Sequence, residues 1–188
     1  IKYKKFKNFY EIYGYGLNGF NTNKKININA GNSGTFARLI LGLLVNSKKK
    51  IKLIGDKSLS KRDFSRVTEP LRMFGANIYS NNKFLPVSII GSKFLRPIKY
   101  FENLGSAQCK SAVMFAALKT PGKTKIIAKK SRDHSELLFK NLKIPIKVTK
   151  NRNYDHIEIY GLKNFRGCDY KVPGLSLIHI SEPTRPSQ

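Results

Sequence analysis

The chain has 188 residues, 40% of them apolar, with 36 Lys and Arg against 11 Asp and Glu, for a formal net charge of +25. That is enough apolar content for one well-buried domain, which argues against disorder. The longest apolar run, residues 39–45, is far too short to cross a bilayer.

The charge has two readings. One is a nucleic-acid or membrane-surface partner. The other is a coding bias toward A- and T-rich codons, because Lys outnumbers Arg 27 to 9 and Asn, Ile, Phe and Tyr are abundant. Phosphate- and base-reading surfaces favour the arginine fork, and the lysines here are scattered, so the second reading is preferred: no nucleic acid and no membrane. A positive field still helps gather anionic small molecules. Cys109 and Cys168 form no metal-ligand spacing with each other or with the three histidines, and a reducing cytoplasm is the expected compartment. The first residue is Ile1 rather than Met, so preceding residues are expected.

Taken in chain order, residues 1–15 predict a hairpin that closes a repeated unit. A small-residue turn then opens an apolar helix over 35–45, which is apolar nearly all round and so expected to be buried. A β-branched strand follows at 50–54, then a polar loop and a second helix at 62–74. Two strands with alternating character close the unit at 76–80 and 85–90. The same grammar returns as a helix at 107–118, a strand at 124–128, a helix at 134–142 and strands at 144–149 and 156–160. Equivalent residues are 73 apart: Asn32-Ser-Gly-Thr35 aligns with Gly105-Ser-Ala-Gln108, and Ser58 with Ser131. Glu-Ile-Tyr-Gly at residues 11–14 recurs at 158–161, with Gly91 ending a similar stretch between them. The fold class is α/β (α+β), built from βαβαββ units with partly parallel strands. The units run over 1–28 (a tail), 29–98 and 99–167.

Two turns carry chemical character. Gly-Asn-Ser-Gly-Thr at 31–35 and Gly-Ser-Ala-Gln at 105–108 each precede a helix, where backbone N–H groups and the helix dipole attract anions. A plain helix cap is the competing reading of either one alone; their symmetric placement favours function.

With these turns, four ordered segments resemble the enolpyruvyl-transferase family, and within it the 5-enolpyruvylshikimate-3-phosphate synthases. They are Asn-Ala-Gly-Asn-Ser-Gly-Thr at 29–35, Gly-Asp-Lys-Ser-Leu-Ser-Lys-Arg at 55–62, Leu-Gly-Ser-Ala-Gln-Cys-Lys-Ser at 104–111 and Ser-Arg-Asp-His-Ser-Glu at 131–136. A fifth, Val-Pro-Gly at 172–174, is cut short. The resemblance implies one domain of a two-domain inside-out α/β barrel with the active site in the cleft between domains. It implies enolpyruvyl transfer from phosphoenolpyruvate to shikimate 3-phosphate, with no metal or organic cofactor, by an enzyme that is monomeric at full length.

The resemblance also assigns roles. Asn32, Gly34, Thr35, Arg62 and Gln108 would meet phosphoenolpyruvate. Ser106, Ala107, Gln108, Ser131 and Arg132 would meet shikimate 3-phosphate. Glyphosate packs closely at the Gly34 position in this family, so the intact enzyme is expected to be glyphosate-sensitive. Asp63 stands where the family commonly has proline, and the following helix is expected to start regardless. Lys110 reads as a solvated helix lysine, Asp133 and Glu136 as dipole-compensating residues, and Cys109 as a small helix residue. The family's catalytic carboxylates fall beyond Gly174 and its Lys-Ser motif before Ile1, so no residue here is expected to be catalytic and no turnover is expected from this chain alone. Residues 175–188 contain no Lys or Asn and resemble a translated sequencing adapter, so they are expected to be foreign to the fold. Three rivals remain: the UDP-N-acetylglucosamine enolpyruvyl transferases, against which the 131–136 segment argues, a basic nucleic-acid-binding module, and a non-catalytic remnant.

Overall fold

The computed structural model describes residues 2–17, 19, 26–161 and 164–171. The Val-Pro-Gly segment at 172–174 and the adapter-like residues 175–188 lie outside them. Strands β1 (Lys2–Lys5) and β2 (Tyr10–Tyr13) form an antiparallel ribbon with every residue exposed.

Two four-stranded sheets follow. The first contains β3 (Ile26–Asn29), β4 (Ile51–Ile54), β5 (Asn77–Asn81) and β6 (Phe84–Ile90), in the order β3-β4-β6-β5. The second contains β7 (Lys99–Glu102), β8 (Lys123–Lys129), β9 (Ile146–Lys150) and β10 (Tyr154–Tyr160), in the order β7-β8-β10-β9. The spatial order is the same in both. Each first pair is parallel and the remaining pairs are antiparallel. The parallel pairs are joined by helices, α1 (Gly34–Leu43) in the first unit and α3 (Ala107–Leu118) in the second, because parallel strands need a crossover. The opening strands β3 and β7 are not among the elements expected from the sequence, although the Ile-Asn-Ile-Asn of β3 alternates as a strand should.

Helices α2 (Ser65–Met73) and α4 (His134–Asn141) fall within the second-helix spans expected from the sequence. The start of α2 needs correction. Residues 59–61 make a single 3₁₀ turn, and Arg62 is extended at φ −84°, ψ 143°, so it precedes the helix rather than opening it. Asp63 replaces it as the starting device: its Oδ1 accepts from the Ser65 N–H at 2.7 Å and the Ser65 hydroxyl at 2.6 Å, satisfying a donor that a helix start leaves open. These bonds, the serine hydroxyl first among the influences, hold the Asp63 carboxyl below its usual pKa.

The core is continuous across both units and runs along α1 and α3. Nine of the twelve residues of α3 are buried. α1 buries Ala37, Ile40 and Leu41 but leaves Phe36 43% exposed, so its burial is less complete than its apolar sequence implies. The two helices lie side by side and parallel, with equivalent residues level: Thr35 meets Gln108 at one end, and Asn46 Oδ1 accepts from Lys119 Nζ (2.8 Å) at the other. A Cβ on Gly42 would sit 2.1 Å from the Ala112 carbonyl oxygen, which shows how closely the backbones approach.

The repeated glycines have a packing cause. Gly91 and Gly161 each end the closing strand of a unit against the last turn of that unit's first helix. A Cβ there would lie 2.1 Å from Ser47 N or 2.0 Å from Thr120 O, and Ser47 and Thr120 are themselves equivalent residues. No helix among the described residues is long and apolar enough to cross a membrane.

Candidate functional site

The N-terminal ends of α1 and α3 form the centre of the site. Ser33 caps α1, its Oγ accepting from Phe36 N at 3.2 Å, and Ser106 caps α3 in the same way through Cys109 N at 3.2 Å. The turns that deliver the chain use positive φ at Gly31 (+54°) and Gly105 (+71°), which glycine adopts without a Cβ clash.

Some of the N–H groups in these turns are used within them. Ser33 N donates to Ala30 O and Gly34 N to Asn32 O. In the second turn, the buried Glu102 carboxylate accepts from Leu104 N at 3.3 Å and Ser106 N at 2.9 Å, and also pairs with Arg66 at 3.2 Å. The helix dipoles and the side chains around the turns add to whatever the remaining N–H groups supply.

Those side chains converge on Gly34. A Cβ built there would lie 2.8 Å from Arg38 Nη1 and 3.1 Å from Arg62 Nη1. Arg62 Nη2 reaches Asn32 Oδ1 at 3.5 Å. Arg38 donates to Gln108 Oε1 (3.1 Å), Gly34 O (3.3 Å) and Asp63 O (3.4 Å), and its guanidinium stacks 5.1 Å from the Phe64 ring centre. The other end of the Gln108 amide donates to Thr35 Oγ1 at 2.7 Å. Asn32, Gly34, Thr35, Arg62 and Gln108 are thus brought together.

Arg38 is absent from the sequence-based site, although it sits one helical turn past Gly34 as the one charge in an otherwise apolar helix. Burial holds its pKa below the usual guanidinium value, and nearby Arg62 and Arg66 push the same way. A guanidinium at half-burial, facing neutral oxygens and two like charges, presents an unfilled demand for an anion.

Ser106, Ala107 and Gln108 occupy the cap and first turn of α3. Ser131 and Arg132 lie on the loop entering α4, tied to α3 because Lys110 Nζ donates to Arg132 O at 3.0 Å. The Ser131 hydroxyl is buried with no hydrogen-bond partner among the described residues. Ser131 and Arg132 are thus joined to the first turn of α3 through the Arg132 backbone.

Two readings of single residues are corrected here and a third is extended. Lys110 is fully buried rather than solvated. Glu136 is the acidic residue in the first turn of α4, as expected, but it is also buried and lies 2.6 Å from Lys110 Nζ, so it neutralises a buried lysine as well. Asp133 makes no side-chain cap bond and instead pairs with Lys150 at 3.1 Å, which lowers its pKa. The sequence hid this because Lys110 aligns with Ala37 in the preceding unit. An apolar recess of about 180 Å³ lined by Leu17, Leu43, Phe115 and Leu142 lies at the opposite ends of the helices, away from these turns.

These elements define a repeat-built α/β protein in which two capped helix N-termini and a pair of arginines meet around Gly34. The model of the EPSP synthase (3-phosphoshikimate 1-carboxyvinyltransferase) family matches residues 2–175, and the chain belongs to that family. It is similar to the 3-phosphoshikimate 1-carboxyvinyltransferase of Streptococcus mutans serotype c, at 39% identity over 177 residues, covering 93% of this chain and 40% of that protein. The corresponding protein of Thermotoga sp. strain RQ2 is 43% identical over 146 residues, 77% of this chain and 33% of its own length. Among solved structures, EPSP synthase from Acinetobacter baumannii superposes with a TM-score of 0.77 at 33% identity, covering 88% of this chain and 37% of that one. The chain thus spans about 40% or less of the length of these relatives.

Proposed function

We propose that this chain forms part of an enzyme that transfers the enolpyruvyl group of phosphoenolpyruvate to the 5-hydroxyl of shikimate 3-phosphate, releasing phosphate. In that reaction the methylene carbon of phosphoenolpyruvate takes a proton while the hydroxyl oxygen attacks the adjacent carbon. The tetrahedral intermediate then expels phosphate and gives up a proton to restore the enol ether.

On this reading Arg62, Asn32, Gly34 and Thr35 hold the phosphoenolpyruvate anion. Ser106, Ala107, Ser131 and Arg132 hold shikimate 3-phosphate, and Gln108 touches both. The observation that carries it is the Gln108 amide, fixed at one end by Arg38 and at the other by Thr35, on the seam where the two helix N-termini meet. A residue there can order two anionic reactants relative to one another. The carboxylates beside the site are engaged: Asp63 with Ser65, Glu102 with Arg66 and two N–H groups, and Glu136 with Lys110. On this reading proton transfer falls to groups elsewhere in the full-length enzyme, and the chain alone is expected to bind without turnover.

We further assign residues 1–174 to one enolpyruvyl-transferase domain, with units at 1–28, 29–98 and 99–167, and the full-length enzyme to the cytoplasm as a monomer. Small anions are its ligands, without nucleic acid or membrane.

Backbone amide spectra of the ¹⁵N-labelled chain, titrated with shikimate 3-phosphate, UDP-N-acetylglucosamine or a DNA duplex, test the reading. Shifts at Ser106, Gln108 and Arg132 are expected with the first ligand alone. A response confined to the sugar nucleotide or to DNA would overturn it.

A further inference from the structure

Within the site proposed above, the Ser131–Arg132 loop belongs to α4 while the turn at 106–108 belongs to α3, and their relative placement must be fixed by something. The bond network between the two helices is short. Lys110 Nζ, fully buried in the first turn of α3, lies 2.6 Å from Glu136 Oε1 and donates to the Arg132 carbonyl at 3.0 Å. Beside the pair, the hydroxyls of Ser111, one residue after Lys110, and Ser135, one residue before Glu136, hydrogen-bond at 2.6 Å.

The ion pair is a poor choice for stability alone. Its charges are withdrawn from water, and neither Glu136 oxygen has a hydrogen-bond partner among the described residues beyond the ionic contact of Oε1 with Lys110. Buried pairs recover their desolvation cost only when the remaining lone pairs and protons are satisfied, and apolar replacements of similar volume are often neutral or better. The equivalent position one unit earlier, Ala37, packs in the core without any charge. What the pair does provide is direction. An ammonium with its donors divided between a carboxylate on α4 and a carbonyl two residues before that helix fixes the loop relative to α3, which apolar contacts do not.

We propose that Lys110 and Glu136 are positioning residues for the shikimate 3-phosphate half of the site: the buried pair clamps the Arg132 backbone to the first turn of α3, holding Ser131 and Arg132 in register with Ser106 and Gln108. The inference rests on the functional reading above. It assigns the two residues no contact with ligand.

The test uses the full 188-residue chain and the double variant Lys110→Met/Glu136→Leu, which removes both charges at similar volume. Its unfolding midpoint in urea is expected to match or exceed that of the parent, separating positioning from simple support of the fold. Two readouts should fall together: ¹⁵N order parameters at residues 131–133, and affinity for shikimate 3-phosphate, by about tenfold or more. Affinity for phosphoenolpyruvate, read at Gly34 and Thr35, should stay within about twofold. Ser111→Ala/Ser135→Ala, which spares the ion pair, should leave the loop ordered. If the double variant does not fold, Glu136→Gln replaces it, with the same changes expected in smaller degree.

Retained loop order or unchanged shikimate 3-phosphate affinity in a folded variant overturns the proposal. A parent chain that shows no shift at Ser106, Gln108 or Arg132 overturns the reading of the site instead, and the clamp is then judged on loop order alone.

Discussion

Gln108 Nε2 donates to Thr35 Oγ1 at 2.7 Å, joining two residues that hold the same place in successive units. The bond closes the seam between α1 and α3 at their N-terminal ends, and Arg38 fixes the rest of the amide through Oε1. Because the contact is exposed, its contribution to stability should be small. A double-mutant cycle of Thr35→Val and Gln108→Leu is expected to give a coupling of about 1 kcal/mol or less in urea unfolding. Ligand binding should respond more. Gln108→Leu is expected to weaken both phosphoenolpyruvate and shikimate 3-phosphate about tenfold, or about 1.4 kcal/mol. An effect on one ligand and none on the other, in amide titrations, would remove Gln108 from its bridging role.

Gly34→Ala separates the fold from the site. The added Cβ meets the far ends of the Arg38 and Arg62 side chains at 2.8 and 3.1 Å, and Leu59 Cδ1 at an ordinary 3.6 Å. Flexible ends can move aside, and alanine favours a helix over glycine by roughly 0.5–1 kcal/mol. Stability should therefore hold or rise slightly. The displaced guanidinium groups lose their geometry for a carboxylate or phosphate, so affinity for phosphoenolpyruvate and for glyphosate should fall about tenfold. Unaltered affinity for both by calorimetry would show that the arginines around Gly34 do not hold the ligand.

The repeated glycines give a prediction that depends on position. Gly91→Ala and Gly161→Ala each place a Cβ about 2 Å from backbone of a helix end, at Ser47 and Thr120. Backbone cannot swing away as a side chain does, and each change should destabilise by about 3 kcal/mol. Gly14 ends the same sequence motif but would meet nothing within 4 Å. Its alanine variant should unfold within about 0.5 kcal/mol of the parent. Equal losses at all three in urea melts would mean that the motif, rather than the helix contact, sets the cost.

Much of this arrangement is legible in the sequence, because it is duplicated. The 73-residue offset locates α1 and α3, their serine caps and the two turns, and each copy reinforces the other's weak signal. What is not legible falls where the copies differ. Lys110 aligns with Ala37, so nothing in the repeat marks it as buried, and its partner Glu136 lies 26 positions away on another helix. Arg38 aligns with Ser111 and hides within an apolar stretch. The placement of Arg62 before rather than within α2 depends on Asp63 capturing the Ser65 N–H, a contact that a one-residue shift of the helix start would erase. The four-residue strands β3 and β7 are fixed by parallel pairing with β4 and β8; the alternation Ile-Asn-Ile-Asn is a legible sign of β3, whereas Lys-Tyr-Phe-Glu in β7 has no such pattern.

Lys119, at the C-terminal end of α3, yields a prediction in pH. It is 5% exposed, and burial pushes its pKa down from 10.5 to about 8. Below pH 8 the lysine is charged in both folded and unfolded chains, and the fold carries the cost of enclosing that charge. Between pH 8 and 10.5 the folded chain gives up its proton first. The unfolded chain then binds more protons, so stability contributed by this group rises with pH, levels off above 10.5 and is lost as pH falls back through 8. The interval of about 2.5 units corresponds to roughly 3 kcal/mol at most. Lys119→Met abolishes the titration. At pH 7 the variant is expected to be more stable than the parent by about 1–2 kcal/mol, the gain being reduced because Asn46 Oδ1 loses the donor it accepts from at 2.8 Å. By pH 10.5 the advantage should vanish or reverse. Paired urea titrations at the two pH values cancel the contributions of the other lysines and the tyrosines. A difference between variant and parent that stays constant across that range would show that Lys119 ionises at its ordinary value, and that its ammonium remains hydrated despite its enclosure.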